Sequence, residues 1–273
     1  MTQFSVEGAR HLTPEDINNN GEVTGHWSLN DIFFATGFLR SQDGTITSFN
    51  CAGKRTHGMS INKPGEIVGA CLSRPGHGGS QGFVRSPAGS ISEIAVPGAK
   101  YTSFNSVNVA GTIAGGWAPS GGPGHGLLVA PDGSLTTIDV PDAQDTGIAD
   151  MNRDGDVVGT YWDAQNVQHG FMRTQQGQIT PFDYPGATST TPVAINVDGV
   201  IVGYYSDSTG KTHGFLRSPN GHMAPIDFPG ADTTTPTDIN AGGEIIGQYC
   251  GPVGSSSYTA VCNGFVTAPG LGQ

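Results

Sequence analysis

Residues 192–231 read PVAINVDGVIVGYYSDSTGKTHGFLRSPNGHMAPIDFPGA, and this stretch decides the fold. Pro192 to Ile195 is a short strand. Asn196-Val197-Asp198-Gly199 follows, a turn with an Asp-Gly hairpin cue. Val200 to Tyr205 is rich in β-branched and aromatic residues and reads as a second strand. Asp207-Ser208-Thr209-Gly210 turns the chain into a third, His213 to Arg217. Ser218-Pro219-Asn220-Gly221 turns it into a fourth, Met223 to Phe228, which Pro229-Gly230 stops. Proline is tolerated there if the fourth strand lies at a sheet edge.

The unit repeats along the chain. Ile-Asn, Val-Asn or Met-Asn begins at Ile17, Ile61, Val107, Met151, Ile195 and Ile239, with spacings of 44, 46, 44, 44 and 44. A glycine follows each at Gly25, Gly69, Gly115, Gly159, Gly203 and Gly247. A second marker pairs glycine with Phe or Leu at Gly37, Gly82, Gly126, Gly170, Gly214 and Gly264. Four short antiparallel strands per 40–50 residues is the signature of a propeller blade. The reading is therefore all-β, a single six-bladed β-propeller. Its blades cover about 9–52, 53–97, 98–141, 142–185, 186–229 and 230–273. The last copy lacks its fourth strand. Phe4-Ser5-Val6-Glu7-Gly8-Ala9 matches Phe182 to Ala187, so residues 1–8 are expected to supply that strand and close the ring. An open solenoid and another blade count are the rivals.

Composition agrees. Of 273 residues, 43 are Gly and 18 Pro, and charged residues are 13%, which excludes helical bundles and coiled coils. Apolar residues at 36%, placed at fixed repeat positions, argue against disorder. No apolar run reaches the ~18 residues of a membrane span. A net charge of −11 argues against nucleic acid as a partner.

The pattern Ile-Asn-x-x-Gly-x-Ile-Val-Gly, then His-Gly-Phe-Leu, then Asp-x-Pro-Gly-Ala resembles the HAF-repeat family of bacterial extracellular proteins. Residues 151–187 and 195–231 match best, while Thr36, Gln81 and Asn263 replace the histidine. The resemblance implies a propeller and export, and assigns no activity. The cysteines point the same way. Cys250 and Cys262 flank the long loop of blade 6, and Cys51 and Cys71 lie on neighbouring blades. Two disulfides, Cys250–Cys262 and Cys51–Cys71, fit a secreted or extracytoplasmic setting; for the second pair two buried thiols are the alternative. The chain opens on a strand-like segment with no signal-peptide pattern, so export rests on the cysteines and the resemblance.

A site is expected on the loops between the fourth strand of one blade and the first of the next. Arg10 and His11, then Lys54, Arg55 and His57, then Lys100 and Tyr101 fall in three consecutive loops. Asp145 and Asp232 stand in later ones, beside bland threonine-rich segments. A basic half of this kind would receive an anionic group. Arg55 or Arg10 would hold a carboxylate while His57, Tyr101 or His11 acts as base in an elimination or hydrolysis. Solvated loop charges are the bland alternative. Trp27, Trp117, Tyr161, Tyr205 and Tyr249 share one repeat position, with Trp162 adjacent and Cys71 the exception. They read either as sugar-stacking platforms or as packing between blades.

These features lead to an extracellular glycan-recognising propeller with a carbohydrate or other small anionic ligand, and the sequence leaves open whether it cleaves as a polysaccharide lyase or hydrolase. The rivals are a non-catalytic multivalent lectin and a protein-interaction scaffold. A monomer is expected. His125, His169 and His213 recur too far from the axis to share one ion, and read as hydrogen bonds tying blade to blade. No metal site or cofactor is assigned. Asp150, Asn152 and Asp154 resemble the start of a calcium loop, but Tyr161 stands where a bidentate carboxylate is needed, and an Asx turn is simpler. Asp16 and Asp238 share a slot on inner strands and read either as a catalytic carboxylate pair or as side chains turned towards neighbouring blades.

Overall fold

The computed structural model describes residues 3–29, 35–73, 78–251 and 262–268. They form strands, turns and connecting segments, with no helix among the described residues. Contacts divide the chain into two compact units, Met1–Ile138 and Asp139–Gln273.

Unit 1 holds three repeats. The first is β1 (His11–Ile17), β2 (Val23–Ser28), β3 (Thr36–Arg40) and β4 (Ile46–Phe49). The second is β5 (Arg55–Ile61), β6 (Ile67–Leu72), β7 (Ser80–Arg85) and β8 (Ile91–Ile94). The third is β9 (Tyr101–Val107), β10 (Ile113–Ala118), β11 (His125–Val129) and β12 (Leu135–Ile138). Each is an up-and-down antiparallel sheet, and one parallel bridge, Ser80 to Tyr101, joins the second to the third.

Unit 2 repeats the plan. β13 (Asp145–Met151) to β16 (Ile179–Phe182) run through β14 (Val157–Trp162) and β15 (Gln168–Arg173). β17 (Ser189–Ile195), β18 (Ile201–Ser206), β19 (Thr212–Arg217) and β20 (Met223–Ile226) form the next sheet. The last, β21 (Thr233–Ile239), β22 (Ile245–Cys250) and β23 (Cys262–Val266), has three strands among the described residues.

The markers have physical causes. A Cβ on Gly25, Gly69, Gly115, Gly159, Gly203 or Gly247 would strike the carbonyl oxygen of the paired first strand, at Thr13, His57, Ser103, Gly147, Thr191 and Thr235. The ring after the second glycine is the core. Phe38, Phe83, Phe171 and Phe215, with Leu127 in the third repeat, are all 0% exposed.

The recurring asparagine does two jobs. Its Oδ1 accepts from backbone amides two and four residues on, as Asn18 does from Asn20 and Glu22 and Asn196 from Asp198 and Val200. This is the expected Asx turn. Its Nδ2 donates to the carbonyl of the equivalent asparagine one repeat on. In unit 1 these bonds run Asn18 to Asn62 (2.9 Å) and Asn62 to Asn108 (3.0 Å). In unit 2 they run Asn152 to Asn196 and Asn196 to Asn240, both 3.3 Å.

The carboxylates beside them are occupied as well. Asp16 Oδ2 accepts from Ser60 Oγ (2.9 Å) and Ile61 N (2.8 Å), and Asp150 Oδ2 accepts from Ile195 N (3.1 Å). In the calcium-like loop Asn152 Oδ1 accepts from the amides of Asp154 and Asp156.

One boundary differs from the expectation. The first strand of each repeat starts earlier, so His11, Arg55, His57, Tyr101 and Asp145 lie on strands rather than in loops. The threonine-rich segments are structural. Thr190 and Thr234 are 0% and 2% exposed, and their Oγ1 atoms accept from the amides of Tyr184 and Phe228. Thr56 and Thr146 do the same for Cys51 and Val140. A buried amide left without such a partner would cost about 1–3 kcal/mol, which draws this segment into the sheet.

Candidate functional site

Seven residues before each repeat's terminal Ile, Val or Met lies one backbone slot, at Arg10, Lys54, Lys100, Gln144, Thr188 and Asp232. In five of the six its amide donates to the carbonyl at or just beyond the end of the second strand. The acceptors are Ser28, Ala118, Trp162, Ser206 and Cys250, for Arg10, Lys100, Gln144, Thr188 and Asp232 respectively. Lys54 instead donates to Cys51. The backbone is held while the side chain varies. Unit 1 carries a cation at all three of its slots; unit 2 carries Gln, Thr and Asp.

Lys54 and Lys100 line one cleft of about 270 Å³, with Ser73, Ser80, Gln81 and Thr102. Lys54 Nζ donates to Glu93 Oε2 (2.6 Å) and Gln81 Oε1 (2.7 Å). Lys100 Nζ lies 5.5 Å from the centre of the Tyr101 ring. Buried Cys71 forms part of the wall and is bonded to Cys51.

A second cluster lies on the inner strands of unit 1. His26 on β2 and His57 on β5 stack with ring centres 4.1 Å apart and planes 4° from parallel. Glu15 Oε1 stands 3.3 Å from His26 Nδ1, off the hydrogen-bond line. His57 Nε2 is buried and makes no hydrogen bond among the described residues. Burial, then the positive charge of His26 and Arg55, pushes the His57 pKa down to about 4, against a weaker pull from Glu15. His57 is therefore neutral at physiological pH.

The other expected residues are spread out. His11 is exposed and pairs with Ser28 across β1 and β2. Tyr101 is 44% exposed beneath Lys100. Asp145 pairs with Trp162 across β13 and β14 in unit 2. Asp232 lines a cleft of about 370 Å³ with Lys211, His213 and Asp227. That cleft sits at the same place in its repeat as the Lys54–Lys100 cleft does in its own. Gln81 corresponds to His213, Ala95 to Asp227 and Lys100 to Asp232.

The aromatic position is filled from within. Tyr205 stacks on Tyr184 (3.8 Å) and His213 (5.1 Å), and Tyr249 stacks on Phe228 (3.6 Å). Tyr161 stacks on His169 and Trp117 on His125. Trp27 and Trp117 reach across their own sheets to donate to Ser48 Oγ and Thr137 Oγ1. The Cys51–Cys71 disulfide occupies the slot that Tyr184–Tyr205 and Phe228–Tyr249 occupy elsewhere. Cys250–Cys262 closes the hairpin of β22 and β23.

Two of the recurring histidines, His169 and His213, tie segments of their own repeat, not blade to blade as expected. His169 Nδ1 meets Asp183 Oδ2 (2.8 Å) and its Nε2 meets Asp163 Oδ2 (3.3 Å). His213 is held by Asp227 (3.0 Å) and Asp207 (3.3 Å) in the same way. These carboxylates lift the His169 pKa against burial, which opposes them as the largest single influence.

No family model matches the chain, and no curated protein matches it in sequence. Solved structures do resemble it. The β-propeller domain of the Trilobed protease from Pyrococcus furiosus superposes with a TM-score of 0.65 at 11% identity, over 97% of this chain and 82% of that one. The fold is a β-propeller. Virginiamycin B lyase from Staphylococcus aureus gives 0.59 at 14% identity, over 92% of this propeller and 83% of the lyase. A prolyl endopeptidase gives 0.61 at 14% identity, over 88% of the propeller and 39% of the enzyme.

The expectation of a glycan-recognising protein, whether lyase, hydrolase or lectin, is corrected here. These similar propellers are named for a protease, an endopeptidase and virginiamycin B lyase, and none for a carbohydrate. Four of the rings expected to stack on sugars, Trp117, Tyr161, Tyr205 and Tyr249, stack on the protein's own Tyr, Phe and His side chains.

Proposed function

We propose that this is an exported, six-bladed, closed propeller of the HAF-repeat type, and that it binds an acidic segment of a protein partner at the basic end of unit 1. The observation that carries the binding reading is the single backbone slot that holds Arg10, Lys54 and Lys100 in three consecutive repeats, in a chain of net charge −11. Side chains of one sign at one repeat position, with Arg10 and Lys100 on the same backbone bond, are how a scaffold presents charge to an extended acidic partner. Arg55 and Tyr101, at the starts of β5 and β9, flank the row.

Two disulfides support export, since such bonds persist in oxidising compartments. Closure is supported by Phe4. It packs on Phe38 at 6.0 Å with the Arg40 guanidinium 5.3 Å from its ring. Phe49 meets Phe83 and Arg85 in the same way, and Phe182 meets Phe215 and Arg217. Phe4 thus stands against β3 as an outer-strand ring stands against the following repeat.

The test is titration with a short Asp/Glu-rich peptide and its Lys-rich counterpart at two salt concentrations. The acidic peptide is expected to bind more weakly as salt rises. Combined replacement of Arg10, Lys54 and Lys100 by alanine is expected to weaken it at least about tenfold, or roughly 1.4 kcal/mol. Equal affinity for both peptides, or an unchanged affinity in the triple variant, refutes the reading.

A further inference from the structure

The cleft between the second and third basic slots has a chemistry of its own. Its ammonium groups differ in status. Lys54 is paired with Glu93 and Gln81, so its charge is largely met within the protein. Lys100 Nζ has no ion pair or hydrogen bond among the described residues, only the face of Tyr101. Gln81 accepts from Lys54 through Oε1, which leaves its amide nitrogen as the donor end. The hydroxyls of Ser73, Ser80 and Thr102 complete the polar wall.

The wall is built closely around Lys100. Gly78 and Gly79 have φ of +52° and +127°, where side-chain-bearing residues are strained. A Cβ on Gly78 would lie 3.2 Å from Lys100 Nζ, and one on Gly79 would lie 2.6 Å from Lys100 O. The Ser80 amide donates to that same carbonyl (3.2 Å). Glycine at these positions lets the 78–79 backbone pass beside the ammonium. The matching cleft of unit 2 carries acidic groups at these positions, with Lys211 also on its wall. There His213 stands in the place of Gln81 and is clamped between Asp227 and Asp207, and Asp232 replaces Lys100. The repeat fixes the hollow, and the residues at these positions set its sign.

We propose that the Lys54–Lys100 cleft is an oxyanion site, centred on Lys100 Nζ, that seats a carboxylate, sulfate or phosphate group. A volume of about 270 Å³ admits such a group with part of the chain or water that carries it. Charge-assisted hydrogen bonds from Lys100 and the Gln81 amide supply the attraction, and Glu93 sets selectivity by neutralising only Lys54. This deepens the acidic-partner reading and rests on it for the biological ligand, which would place a Glu or Asp side chain here.

The experiment is an amide NMR titration of the full chain with sodium sulfate, with sodium chloride at matched ionic strength as reference and the Asp/Glu-rich peptide as a separate arm. Saturable sulfate shifts at Gly78, Gly79 and Lys100 are expected, lost in Lys100→Ala and kept in Asp232→Ala. Lys100 is exposed, so its replacement leaves packing intact. Shifts that follow ionic strength alone, or that persist in Lys100→Ala, overturn the site. If sulfate fails while the peptide still binds in an Arg10-dependent way, the cleft proposal falls and the partner reading stands. If sulfate binds as described and no acidic peptide does, the site stands and the partner reading falls.

Discussion

Acid is expected to weaken unit 1 through a single imidazole. His57 has an ordinary pKa of 6.5 and a folded value of about 4, because burial, His26 and Arg55 all oppose its protonation. The unfolded chain takes up a proton as pH falls below about 6.5, while the folded chain refuses it until about pH 4. The stability that His57 contributes is thus intact near pH 7 and lost progressively across that window. A gap of this size corresponds to about 3.4 kcal/mol at full linkage. The ring is only partly buried, and screening brings the expected loss to about 1–2 kcal/mol. For a chain of this length that is a fall in Tm of roughly 2–8 °C. His169 acts with the opposite sign, since its raised pKa makes its clamp strongest in acid and weaker as pH rises through that value. Denaturant unfolding of the parent and His57→Gln at pH 7 and pH 5 isolates the His57 contribution by difference. The parent should lose about 0.5–1 kcal/mol more than the variant over that interval, which covers about half of the window. Identical pH dependence in the two proteins, or a His57 ring that titrates near 6.5 by NMR, would refute the reasoning.

Two further outcomes test the joints between repeats. Asn62→Ala removes the bond to the Asn108 carbonyl and the Oδ1 acceptor of the Glu66 amide, and should cost about 2–3 kcal/mol in denaturant unfolding, against a much smaller effect for the exposed Asn20→Ala. Replacing Cys51 and Cys71 by serine opens a bridge that spans 20 residues of chain and should cost about 3 kcal/mol. Replacing both by tyrosine should recover part of that loss, because Tyr184 and Tyr205 stack in the equivalent slot; calorimetry that ranks the tyrosine pair below the serine pair would contradict the equivalence.

What the sequence disclosed was mostly what lies within one repeat. The first glycine marker recurs every 44 or 46 residues and reports a contact made inside its own sheet, and the buried ring beside the second marker keeps one position in each repeat. Partners from different segments were harder to see. The Asx turn of Asn196 is a local signal, whereas its bond to Asn240 is made one repeat away. Thr190 and Thr234 looked like loop filler because a short polar residue gives no sign that its hydroxyl is buried against an amide. The histidines were placed wrongly because Asp163 and Asp183 lie on either side of His169 in sequence, and only folding shows both carboxylates on one ring. The basic row was visible as Arg10, Lys54 and Lys100, but the shared backbone slot and the cleft beside Lys100 needed the register of β7 against β9. The stacked aromatics were legible as a position and not as a function, since the same ring can face a ligand or a neighbouring sheet.

The asparagine-to-asparagine bond bears on how such a chain can change its length. Each copy brings along the group that gives and the group that receives at its junction, so neither neighbour must be altered when a copy is gained or lost. Gene duplication in whole modules then preserves every seam, while an insertion of partial length breaks one. Architecture of this kind grows or shrinks by counting, and its novelty accumulates in the side chains that the seams leave alone.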